Sequence, residues 1–113
     1  MKIEALNQIP VLEKILPGNP DATLVDGYAS DLLSDVMANA PAGAVLITIQ
    51  AHRNTVATAS LMDLPAIIIC NGRSIPEEML SAAKQEQIAL FQTPENQFQT
   101  AVRLARLLAS QTA

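Results

Sequence analysis

The side chains best suited to binding chemistry in this sequence fall into two short polar segments, each of which follows an apolar run. Together they contain two arginines, the single histidine of the chain, two asparagines, a glutamine and a glycine. Guanidinium groups, a protonatable imidazole and the free N–H groups of a helix start are donors that hold a phosphate, a carboxylate or a nucleotide phosphate. The candidate ligand-binding residues are Gln50, His52, Arg53, Asn54, Asn71, Gly72 and Arg73.

Each kind of residue has an expected role in such a site. Arg53 and Arg73 would supply positive charge, Asn54 and backbone amides would orient the ligand, and Gly72 would allow the ligand to approach the backbone closely. The alternative is that Asn54 only caps a helix, while His52 and Arg53 are solvated or pair with a neighbouring subunit. The second segment would then be a plain turn followed by a helix cap.

Both polar segments are expected at one edge of a parallel β-sheet. Residues 45–49 and 66–70 are nearly continuous apolar runs rich in β-branched residues, which is typical of parallel strands buried on both faces. A helix between them and short connections require parallel strands with right-handed crossovers. Because ligands bind at the carboxyl edge of such sheets, the two segments are predicted to converge on one site.

The pattern of the whole chain predicts the α/β fold class. From residue 44 onward the order is strand, helix, strand, helix, strand, helix, and no linker divides residues 1–113. We therefore expect a single small domain with a mostly parallel sheet flanked by helices. In the first part of the chain, residues 3–6 predict a helical turn, residues 11–16 an edge strand and residues 22–25 a second strand.

Polar residues ahead of apolar periodicity predict where helices begin. Ser30, Ser74 and Thr93 occupy the N-cap position of three predicted helices. In the last helix the apolar residues are spaced by three and four, as on a face that packs against the core. The residues of this apolar stripe are Phe98, Ala101, Val102, Ala105 and Leu108.

The charge and hydropathy of the chain disfavour several classes of function. Seven basic and eleven acidic residues give a net charge of −4, and the basic residues form no cluster. Nucleic acids and anionic membrane surfaces both require a basic footprint, so we expect neither as a partner. The first residues lack the apolar segment of a signal peptide, and no apolar run approaches the ~20 residues of a membrane span. The expected location is the cytoplasm.

No pattern in the sequence indicates a catalytic centre. Phosphate-binding loop, dinucleotide-binding, nucleophile-elbow and zinc-protease motifs are all missing from the 113 residues. One histidine and one cysteine exclude a structural zinc site within one chain, and no cofactor or metal is expected. Cys70 ends an apolar run and is predicted to be a buried core residue rather than a nucleophile.

An acidic, hydroxyl-rich patch follows the second predicted strand. Asp31 and Asp35 are one helical turn apart, which is the geometry of a carboxylate pair. Such a pair could hold Mg²⁺, although this cation normally gathers a substrate phosphate as well. Favourable charge at a helix start, on a solvated face, explains the pair more simply.

Two stretches of the sequence resemble a DRTGG domain. They are GYASDLLSDVMANA at residues 27–40 and AVLITIQAHRNTVATASLMDLPAIIICNGRSIPEEML at residues 44–80. With the closing helix, the resemblance covers about residues 26–108. His52 and Arg53 stand where the family has an aspartate and an arginine, and Gly72 replaces a glycine pair.

The resemblance implies a non-catalytic regulatory module whose fold is similar to the N-terminal domain of HPr kinase/phosphorylase. It implies no kinase activity, because the chain has no phosphate-binding loop. Members of the family associate through this domain, which implies a homodimer.

The function expected from the sequence is therefore ligand sensing or protein interaction. We expect a cytoplasmic homodimer that binds a small anionic metabolite or a nucleotide at the carboxyl edge of the sheet, with a partner protein as a further binding class. One alternative is a small enzyme or phosphoryl-group acceptor that uses His52. Another is a structural subunit of a larger metabolic complex, docked through the edge strand or the last helix.

Overall fold

A five-stranded sheet with helices on both faces is formed by residues 1–111, the part of the chain that the computed structural model describes. In chain order the elements are a 3-10 helix Ile3–Gln8, β1 Glu13–Leu16, β2 Asp26–Ala29, α1 Leu33–Asn39, β3 Ala44–Thr48, α2 Arg53–Leu61, β4 Ala66–Ile69, α3 Glu77–Glu86, β5 Ala89–Gln92 and α4 Gln97–Gln111. The strand order is β1-β5-β4-β3-β2, with β2 to β5 parallel and β1 antiparallel at one edge. The predicted α/β class and mostly parallel sheet are confirmed.

The central strands are buried because their apolar side chains point alternately to two covered faces. Helices α1, α2 and α3 cover one face, where Leu46 and Ile67 pack with Met79. The 3-10 helix and α4 cover the other face, where Ile47 and Ile68 belong to the second core cluster. This three-layer arrangement leaves both ends of the sheet open to loops.

The predicted second strand begins four residues later than expected. Residues 22–25 contribute only a bridge between Lys2 and Thr23, whereas Asp26–Ala29 pairs in parallel with β3. A Cβ added at Gly27 would lie 2.7 Å from Cδ2 of Leu104. A larger residue here would force the Leu104 side chain to shift, so the close packing of α4 on this strand favours glycine, and tertiary contact rather than β-propensity selects the strand.

The three helices begin later than the sequence predicts. Ser30 donates its N–H to the Ile47 carbonyl at 3.2 Å and so continues the pairing of β2 with β3, and α1 begins only at Leu33. Thr93 likewise donates to the Ile69 carbonyl at 3.0 Å and extends β5. In each case the sheet continues beyond the expected strand end. The N-cap of α3 is Pro76 instead of Ser74.

The last helix is capped, and oriented, differently from the prediction. Asn96 Oδ1 accepts the N–H of Gln99 at 2.8 Å, and the Gln99 side chain accepts the N–H of Asn96 at 3.1 Å, which is a reciprocal capping box. The buried residues of α4 are Thr100, Leu104 and Leu107. The predicted apolar stripe coincides with this face only in part: Ala101 and Leu108 are partly buried and pack against the core, whereas Phe98 is 77% exposed.

Candidate functional site

The carboxyl edge of the sheet gathers the loops that follow the four parallel strands. These loops are residues 30–32, 49–52, 70–76 and 93–96. Both predicted polar segments therefore lie at the edge expected of them, after the neighbouring strands β3 and β4. Where the two loops begin, the Cys70 N–H donates to the Thr48 carbonyl at 3.0 Å, so the strands stay paired up to this edge.

Asp31, in the loop after β2, organises one half of this edge. Its Oδ1 accepts hydrogen bonds from the Thr48 hydroxyl at 3.0 Å, the Ile49 N–H at 2.9 Å and the Gln97 side-chain amide at 3.1 Å. The donors belong to β3, to the loop after it and to α4. Asp31 is thus a cross-link between three segments, and sequence analysis missed this role because the donors lie 17, 18 and 66 residues away.

Gln50 belongs to the same hydrogen-bond network. Its side-chain amide donates to the Asp31 carbonyl at 2.9 Å, and its own carbonyl accepts from the Thr55 hydroxyl at 2.7 Å. The Thr55 N–H donates in turn to the His52 carbonyl at 3.0 Å. The loop between β3 and α2 is therefore fixed at both ends, and one donor of the Gln50 amide is used inside the protein.

The start of α2 presents polar groups that have no protein partner. His52 is the N-cap residue, and its side chain makes no capping hydrogen bond; Asn54 lies within the first turn instead of capping it. Among residues 1–111, the side chains of His52, Arg53 and Asn54 make no hydrogen bond or ion pair. Arg53 and Asn54 are exposed and His52 is half-buried. Their donors are therefore available to a ligand.

The second polar segment is a tight turn. Asn71 and Gly72 have φ values of 62° and 63°, and the Arg73 N–H donates to the Cys70 carbonyl at 3.3 Å. Positive φ at both central positions is the requirement of a type I′ turn. A Cβ at Gly72 would meet only Pro94, at 3.9 Å. The glycine is therefore needed for its backbone conformation and not for space.

The backbone of this turn is joined to the loop after β5. The N–H groups of Asn71 and Gly72 donate to the carbonyls of Glu95 and Thr93, both at 2.9 Å. These two amides are consequently occupied and do not point to a ligand. The first polar segment is joined to the loop after β2 and the second to the loop after β5, so each contacts a different neighbour.

The charges at this edge leave two arginines unpaired. Arg103 holds Glu95 through two hydrogen bonds, Nε to Oε1 at 2.6 Å and Nη2 to Oε2 at 3.0 Å. The Arg103 guanidinium lowers the pKa of the Glu95 carboxyl below its ordinary value of 4.5. In the described part of the chain, no carboxylate pairs with Arg53 or Arg73, which lie exposed in the two candidate segments.

Cys70 is a buried core residue, as predicted. Its thiol donates to the Thr100 hydroxyl at 3.5 Å, and burial raises the pKa of the thiol. A high pKa suppresses the thiolate, which is the reactive form. The Cys70 side chain is therefore unsuited to nucleophilic chemistry.

The acidic patch after β2 does not form a carboxylate pair. Asp35 accepts the Tyr28 hydroxyl at 2.8 Å and the Asn39 amide at 2.9 Å, and the hydrogen bond from Tyr28 lowers the pKa of Asp35. Asp31 instead faces the network described above. Over residues 1–111, no group of three or more His, Cys, Asp or Glu side chains could hold a metal ion.

A cavity that the sequence did not indicate lies at the opposite, amino edge of the sheet. Its volume is about 310 Å³, the lower end of the range for small-molecule sites. Ser60 donates to Glu86 there at 3.3 Å. The lining also includes Asp63 and Gln87, each with a positive φ. These C-terminal turns of α2 and α3 shape the cavity.

Comparison with known protein families identifies the family of this chain. The family model described as HPr Serine kinase N terminus matches residues 47–108, which is more than half of the chain. The chain belongs to this family. The matched residues of this HPr serine kinase N-terminal domain contain all seven candidate site residues but not Asp31.

A solved structure shares the fold of this HPr serine kinase N-terminal domain. It holds the CBS and DRTGG domains of the regulatory region of Clostridium perfringens pyrophosphatase, complexed with the activator diadenosine tetraphosphate. The TM-score is 0.63 at 16% sequence identity, over 93% of the present chain and 44% of the other. The chain thus spans less than half of that structure, and the resemblance to a DRTGG domain is confirmed at the level of fold.

Two further searches gave negative results. A search of curated proteins found no match to this chain. Among the described residues, no helix combines the length and apolar character needed to cross a membrane.

Proposed function

We propose that this chain is a non-catalytic regulatory module that binds a small anion or a nucleotide at the carboxyl edge of its sheet. The observation that carries the proposal is the pair of exposed arginines, Arg53 and Arg73, in loops of neighbouring parallel strands. Neither has an ion partner among residues 1–111, although the whole chain has a net charge of −4. Arginines left unpaired in an acidic protein are suited to a polyanionic ligand.

The start of α2 supports the same chemistry. Its side chains at His52, Arg53 and Asn54 are unengaged, and the positive end of the helix dipole favours an anion nearby. The amides of Asn71 and Gly72 are occupied, so we propose that the second segment contributes the Arg73 guanidinium and the Asn71 side chain only.

A nucleotide is the ligand class we favour. The similar Clostridium perfringens regulatory region was solved with diadenosine tetraphosphate, an activator that carries several phosphates. A polyphosphate chain can contact two guanidinium groups in different loops at once, whereas inorganic phosphate reaches fewer donors.

We propose a regulatory role without catalysis because His52 has no orienting partner. A general base or phosphoryl acceptor is normally held by a carboxylate or hydroxyl on its second ring nitrogen. In the described chain, no such group bonds the imidazole. We further propose that the module is a cytoplasmic homodimer, which passes the state of the ligand site to a partner protein.

The proposal is tested by calorimetric titration with nucleoside triphosphates, dinucleoside polyphosphates and inorganic phosphate. We expect a nucleotide to bind and Arg53→Ala to weaken binding about 10- to 100-fold, which corresponds to the loss of one charge-assisted hydrogen bond. The matched control is Arg106→Ala, since Arg106 is an exposed arginine in the middle of α4.

Three results are informative. Equal affinity in wild type, Arg53→Ala and Arg73→Ala would disprove the site. No binding by any of these compounds, together with a stable complex with a cellular protein, would favour a structural subunit. Incorporation of labelled phosphate that is lost in His52→Ala would favour a phosphoryl acceptor.

A further inference from the structure

The cavity at the amino edge of the sheet, which we call the amino-edge cavity, combines acidic and apolar walls. It lies between the C-terminal turns of α2 and α3 and the segment that precedes β2, and its volume is about 310 Å³. Its acidic residues are Asp63 and Glu86. Its apolar residues are Ala22, Ala59, Leu64, Pro65 and Ile88. The cavity is separate from the proposed anion site, which lies at the opposite edge of the sheet.

Neither carboxylate of the amino-edge cavity has a cationic partner within the described part of the chain. The ion pair found among residues 1–111 joins Arg103 to Glu95, and the lining of the cavity includes no lysine or arginine. The Glu86 carboxylate accepts the Ser60 hydroxyl at 3.3 Å, which orients the carboxylate without neutralising it. The Asp63 carboxylate makes no hydrogen bond to residues 1–111. Two uncompensated negative charges therefore line one cavity.

The two helices that border the cavity end there in the same way. After α2, the Leu64 N–H donates to the Ala59 carbonyl at 2.8 Å. After α3, the Ile88 N–H donates to the Ala83 carbonyl at 2.9 Å. Each of these hydrogen bonds spans six residues, as in a Schellman motif. Because the C-terminal end of a helix carries a partial negative charge, the two helix ends add to the negative potential of the carboxylates.

The left-handed position of each Schellman motif holds a polar residue where glycine is usual. Asp63 has a φ of 57° and Gln87 a φ of 55°, and both residues line the cavity. Glycine is favoured at this position because it has no Cβ to clash with the backbone. The chain thus keeps a carboxylate and an amide beside the cavity at two positions where glycine would make the fold more stable, a pattern typical of functional positions.

The size and the walls of the cavity favour an organic cation over a metal ion. Over residues 1–111, no group of three or more His, Cys, Asp or Glu side chains could hold a metal ion, and hard metal cations gather six or more oxygen ligands. A metal ion would also leave most of the 310 Å³ unfilled. The apolar residues of the lining instead offer contact to the methylene groups of a larger ligand.

We propose that the amino-edge cavity binds a small aliphatic amine. An ammonium group of the ligand donates charge-assisted hydrogen bonds to Asp63 and Glu86, and its alkyl chain lies against Ala22 and Pro65. A second ammonium group, as in a diamine, allows one ligand to reach both carboxylates. The site gives the molecule a second ligand class, opposite in charge to the ligand of the carboxyl edge, and it does not depend on the proposed function.

The test is a nuclear magnetic resonance titration of the ¹⁵N-labelled 113-residue chain with 1,4-diaminobutane. We expect saturable shifts of backbone amide signals, largest in residues 59–64 and 83–88, which form the C-terminal turns around the cavity. Since both carboxylates are exposed and screened by solvent, the expected dissociation constant is about 1–10 mM at low ionic strength. Butanoate and Mg²⁺, added at the same ionic strength, should cause no saturable shifts in these residues.

Three variants assign the binding to the two carboxylates. Asp63→Gly should weaken diamine binding about 3- to 5-fold, as for the loss of an exposed ion pair, and should also raise the melting temperature, because glycine suits a φ of 57°. Glu86→Gln keeps an oxygen acceptor for the Ser60 hydroxyl and should weaken binding to a similar degree. The matched control is Glu78→Gln, which removes the same charge from an exposed position at the other end of α3 and should leave binding unchanged.

Several results would overturn the amine site. One is the absence of saturable shifts in residues 59–64 and 83–88. Another is an equal loss of affinity in Glu78→Gln and Glu86→Gln, which would mean that the diamine responds only to the net charge of the protein. Saturation by Mg²⁺ as readily as by the diamine would assign the cavity to inorganic cations. Unchanged affinity in a stabilised Asp63→Gly variant would remove Asp63 from the site and with it the proposal.

Discussion

Asp31 offers a sharp test of how the carboxyl edge is held together. Its Oδ1 accepts three hydrogen bonds, from Thr48, Ile49 and Gln97, at 2.9 to 3.1 Å. Replacement by alanine would leave the fully buried Thr48 hydroxyl and the Ile49 N–H without this acceptor. Each polar group left unsatisfied costs about 1–3 kcal/mol, but Asp31 is only half-buried and water can replace part of the loss.

We therefore expect Asp31→Ala to lower the free energy of unfolding by about 2–4 kcal/mol. For a domain of this size, that change corresponds to a fall in melting temperature of about 8–20 °C. Asp31→Asn keeps an oxygen acceptor and should cost less, about 1 kcal/mol. The assay is urea unfolding followed by circular dichroism, with the slope against urea concentration unchanged if only stability is altered.

Asp21→Ala is the matched control, since Asp21 is exposed and its carboxylate makes no hydrogen bond in the described chain. It should change stability by less than about 0.5 kcal/mol, as is usual for surface substitutions. If Asp31→Ala were equally mild, the cross-linking role of Asp31 would be refuted.

Two further predictions concern the loops at the same edge. Gly72→Ala should lower the free energy of unfolding by about 1–2 kcal/mol, measured by urea unfolding, because alanine is strained at a φ of 63° although its Cβ has space. Asn71→Gly should be neutral or slightly stabilising. Equal effects of the two substitutions would contradict this explanation. The pKa of Glu95 is lowered by Arg103, so this pair stabilises the fold above the ordinary carboxyl pKa of 4.5 and loses its contribution as the pH falls through the lower folded-state value. Stability measured at pH 7 and pH 3 should consequently fall further in wild type than in Arg103→Met, and an identical fall in both proteins would show that the pair does not contribute.

The central sheet could be predicted from the sequence because buried parallel strands have a distinctive composition. The runs around Ile47 and Ile68 consist of apolar, mostly β-branched residues, and few other structures accommodate them. The turn at Asn71 and Gly72 was predictable for a similar reason, since the two residue types that best tolerate positive φ are adjacent. These local signals placed both polar segments at the correct edge.

The orientation of α4 could not be predicted from periodicity. The stripe from Phe98 to Leu108 is more apolar than the face that is buried, which includes Thr100. Thr100 is accommodated because its hydroxyl donates to the Asn96 carbonyl at 2.8 Å and accepts from Cys70. A polar residue satisfied locally can thus occupy the core, while Phe98 and Ala105 of the apolar stripe remain exposed.

Long-range hydrogen bonds could not be predicted from the sequence either. The acceptor role of Asp31 depends on donors in β3, the following loop and α4, and no local pattern connects them. The strand Asp26–Ala29 has little intrinsic preference for β-structure and is defined by its pairing with β3 and by Leu104 packing over Gly27.

The position of α4 has a consequence for the order in which the protein is completed during synthesis. The helices α1 to α3 each follow the strand they help to cover, so one face of the sheet can close as the chain emerges. On the other face, Val45 and Ile47 belong to one core cluster with Leu104 and Leu107, which lie about sixty residues later in the sequence. Until α4 has left the ribosome, that face is covered by the 3-10 helix alone, and the nascent chain exposes apolar surface that a chaperone can bind.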